Sequence, residues 1–430
     1  MSTANLAPPS QGLWLRCQAR DLPGWSGMTE RVTNEIVEGV ARIKGPRAAQ
    51  ALEERGIQRL HEVIDAQDVG PLREWVLERL RQPLLSMAVS IGRHTLGWKS
   101  DFYVDDYLIL RINFPYEVAR LADRSAENPG IGRLSPSVRA LHNARKVVDP
   151  VYDPKSYHRD NPPAAWAHGP HRDSWAGHSR DGRNLWWAIG EVPAEAGMVL
   201  YPELADADLP CDPRTLYLRA GYPLPKPTYL PLRAGEMLVF DPEVLHGTHL
   251  NTTNESRVAI SMRLNASKPK FDPACFYARE FWRRAVDIEV GKDDVLHLRR
   301  EDNLGPPVAA KPIEPGAALP VITGTFDMTS GILRAVCDER SVKARRIIVA
   351  SASCRVLVVR SGDGLRAFDA ACPVNGVDIA DGGCDEDKTY CPGCGVGFDL
   401  ATGRTSCKTL SLRAYEANES EGAILIRIAA

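Results

Sequence analysis

The segment HGPHRDSWAGH sets His171 and Asp173 two residues apart. On an extended strand, residues i and i+2 project to the same side, so this imidazole and carboxylate could chelate one metal ion. A third donor comes from LVFDPEVLHGTHLNTTNESRVAISMRLN, which supplies His246 at the end of a hydrophobic run. Two histidines and one carboxylate on one face of an iron ion leave three positions for a co-substrate and oxygen. Arg257, eleven residues beyond His246, opens the run RVAISMR, with Ala259, Ser261 and Arg263 on its own face. A planar guanidinium suits a carboxylate, which it can grip through two charge-assisted hydrogen bonds. Thr248 adds a hydroxyl two residues after His246. His168, His178 and His249 lie close by and read as supporting or surface residues; His249 is the rival third ligand.

A second set of candidate ligands lies near the C-terminus. Seven of the ten cysteines fall after residue 336, and CPVNGVDIADGGCDEDKTYCPGCGVGFDL holds Cys372, Cys384, Cys391 and Cys394, with Cys407 beyond. The first residues show no basic region followed by an apolar run, so the clustered cysteines read as thiols or metal ligands before disulfides.

These groups must be held by strands. DDYLILRINFP alternates, with Tyr107, Ile109, Arg111 and Asn113 on one face and Leu108, Leu110 and Ile112 on the other. NLWWAIGEV, MVLYP, GEMLVFDP and SRVAISMRLN continue the strand pattern with no long helix between them, which predicts an antiparallel sandwich or barrel. The adjacent Trp186 and Trp187 must face opposite ways on a strand, so at least one packs in a core. Residues 46–97 carry apolar positions at three- and four-residue spacing and predict helices. The Pro- and Asp-rich stretch 203–232 predicts a loop insertion or lid. The proline-rich stretch 300–320 predicts a linker to a second β-rich unit, whose strands are RRIIVAS, CRVLVVRS, GLRAFDA and AILIRI. No internal repeat is evident.

The chain of 430 residues is long enough for two or three domains, and its 44% hydrophobic content supports real cores. A formal net charge of −2 offers no basic surface for nucleic acid, and no window is apolar enough to span a membrane. A cytoplasmic enzyme acting on a small molecule is the expectation.

The run PHRDSW…LWWAIGEVPAEAGMVLYP…LRAGEMLVFDPEVLHGTHLNTTNESRVAISMRLN resembles the phytanoyl-CoA dioxygenase-like group of Fe(II)/2-oxoglutarate oxygenases over about residues 101–285. The resemblance implies a double-stranded β-helix, jelly-roll or cupin-like in form. It implies iron on His171, Asp173 and His246, with Arg257 on the far carboxylate of 2-oxoglutarate and Thr248 assisting. The implied reaction is decarboxylation of 2-oxoglutarate by O2 to succinate and CO2, coupled to oxidation of a substrate C–H bond. With Asp173 present, hydroxylation or a related oxidation outranks halogenation.

The later run, over about 322–428, resembles a Rieske ferredoxin domain. Cys372 and Cys391 occupy that family's two cysteine positions, whereas Val374 and Cys394 stand where its two histidines would be. Valine cannot ligate, and a thiolate in place of an imidazole would lower a cluster's potential. Cys384 and Cys407 could complete a four-cysteine set, for Zn or an iron–sulfur cluster; the alternative is a retired site whose thiols only pack.

The resulting plan is an N-terminal helical extension packing on the core (1–100), an oxygenase unit (101–299), a linker (300–320) and a Rieske-like unit (321–430). The C-terminal unit is expected to dock on the core, shield the lid or form a homo-oligomer interface. Two rivals stand beside the oxygenase: a Rieske-type oxygenase fed electrons through the C-terminal unit, and a binding or sensor protein that has lost turnover.

Overall fold

The computed structural model describes residues 12–121, 168–205, 207–212, 216–273, 278–306, 319–362 and 364–428. The fold is mainly β with some helices, organised around one strand whose sequence alternates strictly. In β9 (Arg257–Asn265) every residue is buried. Val258, Ile260, Met262 and Leu264 turn one way, into a core shared with the helices. Arg257, Ala259, Ser261 and Arg263 turn the other way, towards a second sheet. Around β9 lies an eight-stranded sheet in the order β1 (Trp14–Gln18), β7 (Glu236–Phe240), β4 (Gly182–Ala188), β9, β2 (Tyr103–Asp105), β10 (Phe281–Arg284) and β11 (Leu296–His297). β3 (Ile109–Asn113) also pairs with β9. The register sets Asn113 opposite Arg257 and Arg111 opposite Ala259, so polar residues from both strands share one face.

A three-stranded sheet, β6 (Thr228–Leu230), β5 (Met198–Tyr201) and β8 (Leu245–Thr248), covers that face. Met198, Leu200 and Leu230 of the small sheet pack against Trp186, Leu238 and Phe240 of the large one, which makes a two-sheet sandwich. The predicted strands from 105 to 265 are all present. The stretch 203–232 is not purely an insertion, because β6 within it completes the small sheet. Pro227 and Pro231 flank that strand and hide it in the sequence, and its edge position tolerates them.

The opposite face of the large sheet carries helices α1 (Met28–Lys44), α2 (Pro46–Arg55) and α3 (Val69–Ser90). Val32, Ile36 and Val40 make an i, i+4 stripe on α1. Gly39 on the same helix admits Leu72 and Trp75 of α3, since a Cβ there would stand 2.5 Å from Leu72 Cδ1. The predicted helical stretch 46–97 is α2 and α3, separated by 3-10 turns and followed by a π turn at Ile91–Thr95. α1 fits the helical extension expected over residues 1–100, although it lies before the stretch 46–97 read as helical, whereas a strand there was not expected. β1 is an integral strand, pairing Trp14 with Phe240 and Gln18 with Glu236. Among the described residues, no helix is long and apolar enough to cross a membrane.

The C-terminal strands close a seven-stranded barrel: β12 (Val321–Asp327), β13 (Ile332–Val336), β20 (Ala423–Arg427), β19 (Ala414–Ser420), β16 (Gly364–Asp369), β15 (Arg355–Ser361) and β14 (Arg346–Ala350). A separate hairpin, β17 (Lys388–Tyr390) with β18 (Gly397–Asp399), carries the Cys391–Cys394 loop, and the Cys372 loop follows β16. Most of the expected linker, residues 307–318, lies outside the described residues.

The cysteine loops rest on the small sheet of the sandwich. Leu250 N–H donates to Cys394 O (2.9 Å), Tyr229 Oη to Gly395 O (2.7 Å) and Leu224 N–H to Asp381 O (2.7 Å). Gly383 makes this approach possible, because a Cβ there would meet the Pro225 carbonyl at 2.3 Å. Backbone cannot yield as a side-chain tip can, so Gly383→Ala is expected to cost about 1–3 kcal/mol of stability. Gly362→Ala, where nothing lies within 4 Å, serves as the control. Equal urea midpoints for the two variants would show that the contact is not tight.

Candidate active site

The sandwich brings the first set of predicted residues together. One ligand atom from each of His171, Asp173 and His246 lies within 4.8 Å of the others. His171 and His246 exchange backbone hydrogen bonds (2.8 and 3.0 Å), an isolated bridge that extends the small sheet beyond β8. Asp173 does not continue a strand as its spacing suggested. It heads a 3-10 turn (Asp173–Ala176), and its N–H is fixed on Pro242 O at 3.0 Å.

The tautomers follow from the backbone. His171 Nδ1 donates to Gly169 O (2.8 Å) and His246 Nδ1 to Val244 O (2.9 Å). Each Nε2 therefore presents a lone pair, and both face Asp173 Oδ1, at 3.4 and 3.7 Å. Burial pushes His246 down to about 3, helped by His171, which keeps its imidazole neutral. Burial alone would raise the Asp173 carboxyl. The guanidinium of Arg263, whose Nε lies 3.2 Å from Oδ2, and nearby His178 outweigh it and hold the group well below the usual range. The donor set, two neutral imidazoles and a carboxylate, fits a divalent ion.

Arg257 lies on the same inner face and is 2% exposed. It donates to Ala196 O (2.6 Å) and to Asn113 Oδ1, and lies over the Trp186 ring. Its Nε is buried without a hydrogen-bond partner, and no carboxylate pairs with it among the described residues. Burial and neighbouring Arg111 push it down to about 9. A buried guanidinium with an orphaned donor fits an anionic ligand. Arg111 reaches Ser261 Oγ (2.8 Å) and His168 Nε2 (3.3 Å), and Thr248 Oγ1 accepts from His168 N–H (2.9 Å). A narrow pocket opens here, walled by Met198, Trp186 and Phe240, with Thr248 and Arg111 among its polar lining. Trp186 faces the cavity, whereas Trp187 packs into the helical core.

His249 is directed away from the other histidines. Its Nδ1 bonds Leu250 O, and its ring stands edge-on to Tyr229. Its pKa is lowered from 6.5 to about 4, chiefly by burial against the opposing pull of the Leu250 carbonyl and Glu195. The sign follows from proton counting. Between those values the unfolded chain binds a proton that the folded chain does not, so stability is full above pH 6.5 and falls as pH drops towards 4. This one group accounts for roughly 3 kcal/mol over that window. His249→Gln should flatten the stability–pH profile there, as urea titrations at pH 7 and 4.5 would show; an unchanged slope would mean that His249 is hydrated.

The second predicted set assembles only in part. Cys372, Cys391 and Cys394 converge, all buried, with their Sγ atoms within 4.8 Å of one another. Hydrogen bonds from Cys391 and then Cys394 hold the Cys372 thiol well below the usual thiol range. Cys384 and Cys407 do not join them. Cys384 bridges Thr389 across the base of the β17–β18 hairpin, and Cys407 Sγ turns to Thr409 Oγ1 (3.4 Å) and Glu117 (3.6 Å). Val374 stands beside the trio with no donor to offer, so these residues do not fit a cluster held by two histidines.

Sequence reading did not anticipate the roles of Arg263 and Tyr217. Tyr217 Oη lies 3.2 Å from His168 Nδ1, and its ring lies against His171. Arg263 shares Arg257's strand face by spacing, and that was the available signal.

Residues 117–259, which include the three clustered donors and Arg257, match the family model of phytanoyl-CoA dioxygenase (PhyH). The resemblance read from the sequence is borne out over that segment. No curated protein matches the chain. The solved structure of the non-heme alpha ketoglutarate dependent epimerase SnoN from nogalamycin biosynthesis is 15% identical and covers 65% of this chain and 97% of its own, with a TM-score of 0.29. The carbocyclase SnoK of the same biosynthesis is 12% identical over 59% of this chain and 79% of its own, TM-score 0.29. The ferredoxin of carbazole 1,9a-dioxygenase from Nocardioides aromaticivorans IC177 is 25% identical over 20% of this chain and 86% of its own, TM-score 0.18.

Proposed function

We propose that the protein is an Fe(II)- and 2-oxoglutarate-dependent oxygenase of a small molecule, its sandwich a double-stranded β-helix. The observation that carries this reading is the joint orientation of His171 and His246, each with Nε2 aimed at Asp173 beside an uncompensated Arg257 on one sheet face. His171, Asp173 and His246 would hold the iron. Arg257 would bind the far carboxylate of 2-oxoglutarate, with Thr248 at hydrogen-bonding reach of the cavity. With iron and 2-oxoglutarate held there, O2 would be the oxidant, taking two electrons from 2-oxoglutarate as it leaves as succinate and CO2 and two from a substrate C–H bond. Arg263 keeps Asp173 ionised, the Gly169 and Val244 carbonyls fix both tautomers, and Met198 and Phe240 exclude water from the donors.

We read the C-terminal barrel and its hairpin as a Rieske-like fold that docks on the oxygenase and does not relay electrons. Val374 and the all-thiol trio support that reading over the Rieske-type oxygenase. The test is anaerobic reconstitution with Fe(II) and 2-oxoglutarate, then exposure to O2. Succinate should form with no reductase present. Failure to bind 2-oxoglutarate, or succinate formation only with a reductase, would sink the proposal; binding without turnover would leave the sensor reading.

A further inference from the structure

The cysteine loops are a matched pair. Cys372-Pro373-Val374-Asn375-Gly376 and Cys391-Pro392-Gly393-Cys394-Gly395 fold into the same knuckle. In each, the glycine N–H donates back to the cysteine carbonyl, Gly376 to Cys372 O at 2.8 Å and Gly395 to Cys391 O at 2.9 Å. Each cysteine N–H is in turn bound by the residue after that glycine, Cys372 to Val377 O (2.8 Å) and Cys391 to Val396 O (2.9 Å). The two glycines take the same left-handed backbone, φ 72° and 71°. The short repeat, not evident in the sequence reading, places Asn375 in the first knuckle where Cys394 stands in the second.

We propose that these knuckles form a mononuclear site for a thiophilic divalent cation of the zinc type, held by Cys372, Cys391 and Cys394, with the Asn375 side-chain oxygen as fourth donor. Two sulfurs each about 2.3 Å from one tetrahedral zinc lie about 3.8 Å apart. Cys372 Sγ and Cys394 Sγ are 3.8 Å apart. Asn375 Oδ1 and Nδ2 both stand 3.8 Å from Cys391 Sγ; Oδ1 accepts from Val377 N–H (3.1 Å), and an amide oxygen keeps a second lone pair for a cation. Three sulfurs within 4.8 Å of one another are close enough to share one ion. A two-iron cluster would need donors at both of its ends, and the place for one of them holds Val374. All three thiols are buried, 0–2% exposed, which suits a closed structural site.

The site is independent of the oxygenase reading, and its test reads metal, not turnover. Full-length protein purified under reducing conditions should carry one zinc per chain. His171→Ala/His246→Ala should keep that zinc, and Cys391→Ser/Cys394→Ser should lose it. Because the serine variant is at risk of misfolding, two measurements avoid it. Cobalt substituted into the unaltered protein should show intense thiolate-to-metal charge-transfer absorption. X-ray absorption on the zinc protein should find three sulfurs near 2.3 Å and one lighter atom, and Asn375→Cys should change this to four sulfurs with the metal retained. Acid-labile sulfide or iron–iron scattering would overturn the proposal in favour of a cluster. Metal-free protein with no cobalt–thiolate absorption would overturn it in favour of packed thiols. An unchanged three-sulfur shell in Asn375→Cys would overturn the assignment of the fourth donor.

Discussion

Replacing His246 with alanine should abolish 2-oxoglutarate-dependent succinate formation and weaken binding of Fe(II), or of Mn(II) as a probe, by more than 100-fold. Loss of a residue that only supports a ligand costs about 10–100-fold, so a ligand should exceed that range. The imidazole is the donor most tightly committed by its surroundings: Nδ1 is on Val244 O, the backbone is paired with His171, and Nε2 faces Asp173. His249→Ala supplies the contrast, because that ring is bound to the Leu250 carbonyl and Tyr229 and should leave metal affinity within a few-fold. Metal titration monitored by calorimetry, with a melting curve for each variant, decides between them. Full affinity in His246→Ala and lost affinity in His249→Ala would reassign the third ligand.

Arg257→Ala should raise the 2-oxoglutarate requirement far more than that for the primary substrate. Loss of a buried, hydrogen-bonded charge partner costs on the order of 2–5 kcal/mol, roughly a 30-fold to several-thousand-fold loss of affinity. The variant should not lose stability in proportion. Arg257 is a buried cation with no carboxylate partner among the described residues, so its removal relieves desolvation that its bonds to Ala196 and Asn113 and the Trp186 face offset only in part. Arg263→Ala should behave differently. It unpairs the Asp173 carboxylate, so metal affinity should fall before 2-oxoglutarate affinity does. A 2-oxoglutarate defect confined to Arg263→Ala would move the anion-binding role six residues along the strand.

The legible parts of the chain were those whose chemistry repeats with the period of their backbone. β9 announces two faces, polar and apolar, and both have the partners that alternation implies. The clustering of His171, Asp173 and His246 was legible from their spacing together with the family resemblance, although the geometry of Asp173 comes from a turn and not a strand. What stayed hidden was set by distant partners. β1 is five residues at an edge, with no alternation to mark it, and it exists because β7 offers a register. β6 is disguised by its flanking prolines. Cysteine identity could not separate Cys391 from Cys384, because side-chain direction at a hairpin base depends on the bridge to Thr389. Asn375 was invisible as a candidate because its position is defined by the second knuckle and not by its own residue type.

The order of the strands also dictates when the molecule can fold as it leaves the ribosome. β2, β3 and β4 all hydrogen-bond to β9, and β1 must wait for β7. A nascent chain that has not yet exposed Asn265 therefore owns the three helices and the strands β1, β7 and β4, but not the strand that joins these to β2 and β3 and completes the sheet over the helices. Such non-local pairing is slow to form and leaves apolar surface open meanwhile. Synthesis paused just before β9 should thus hold a protease-sensitive, chaperone-dependent chain, and synthesis paused shortly after it a protected one. The barrel, built mostly from neighbouring hairpins, would come last and dock its cysteine knuckles on a surface already in place.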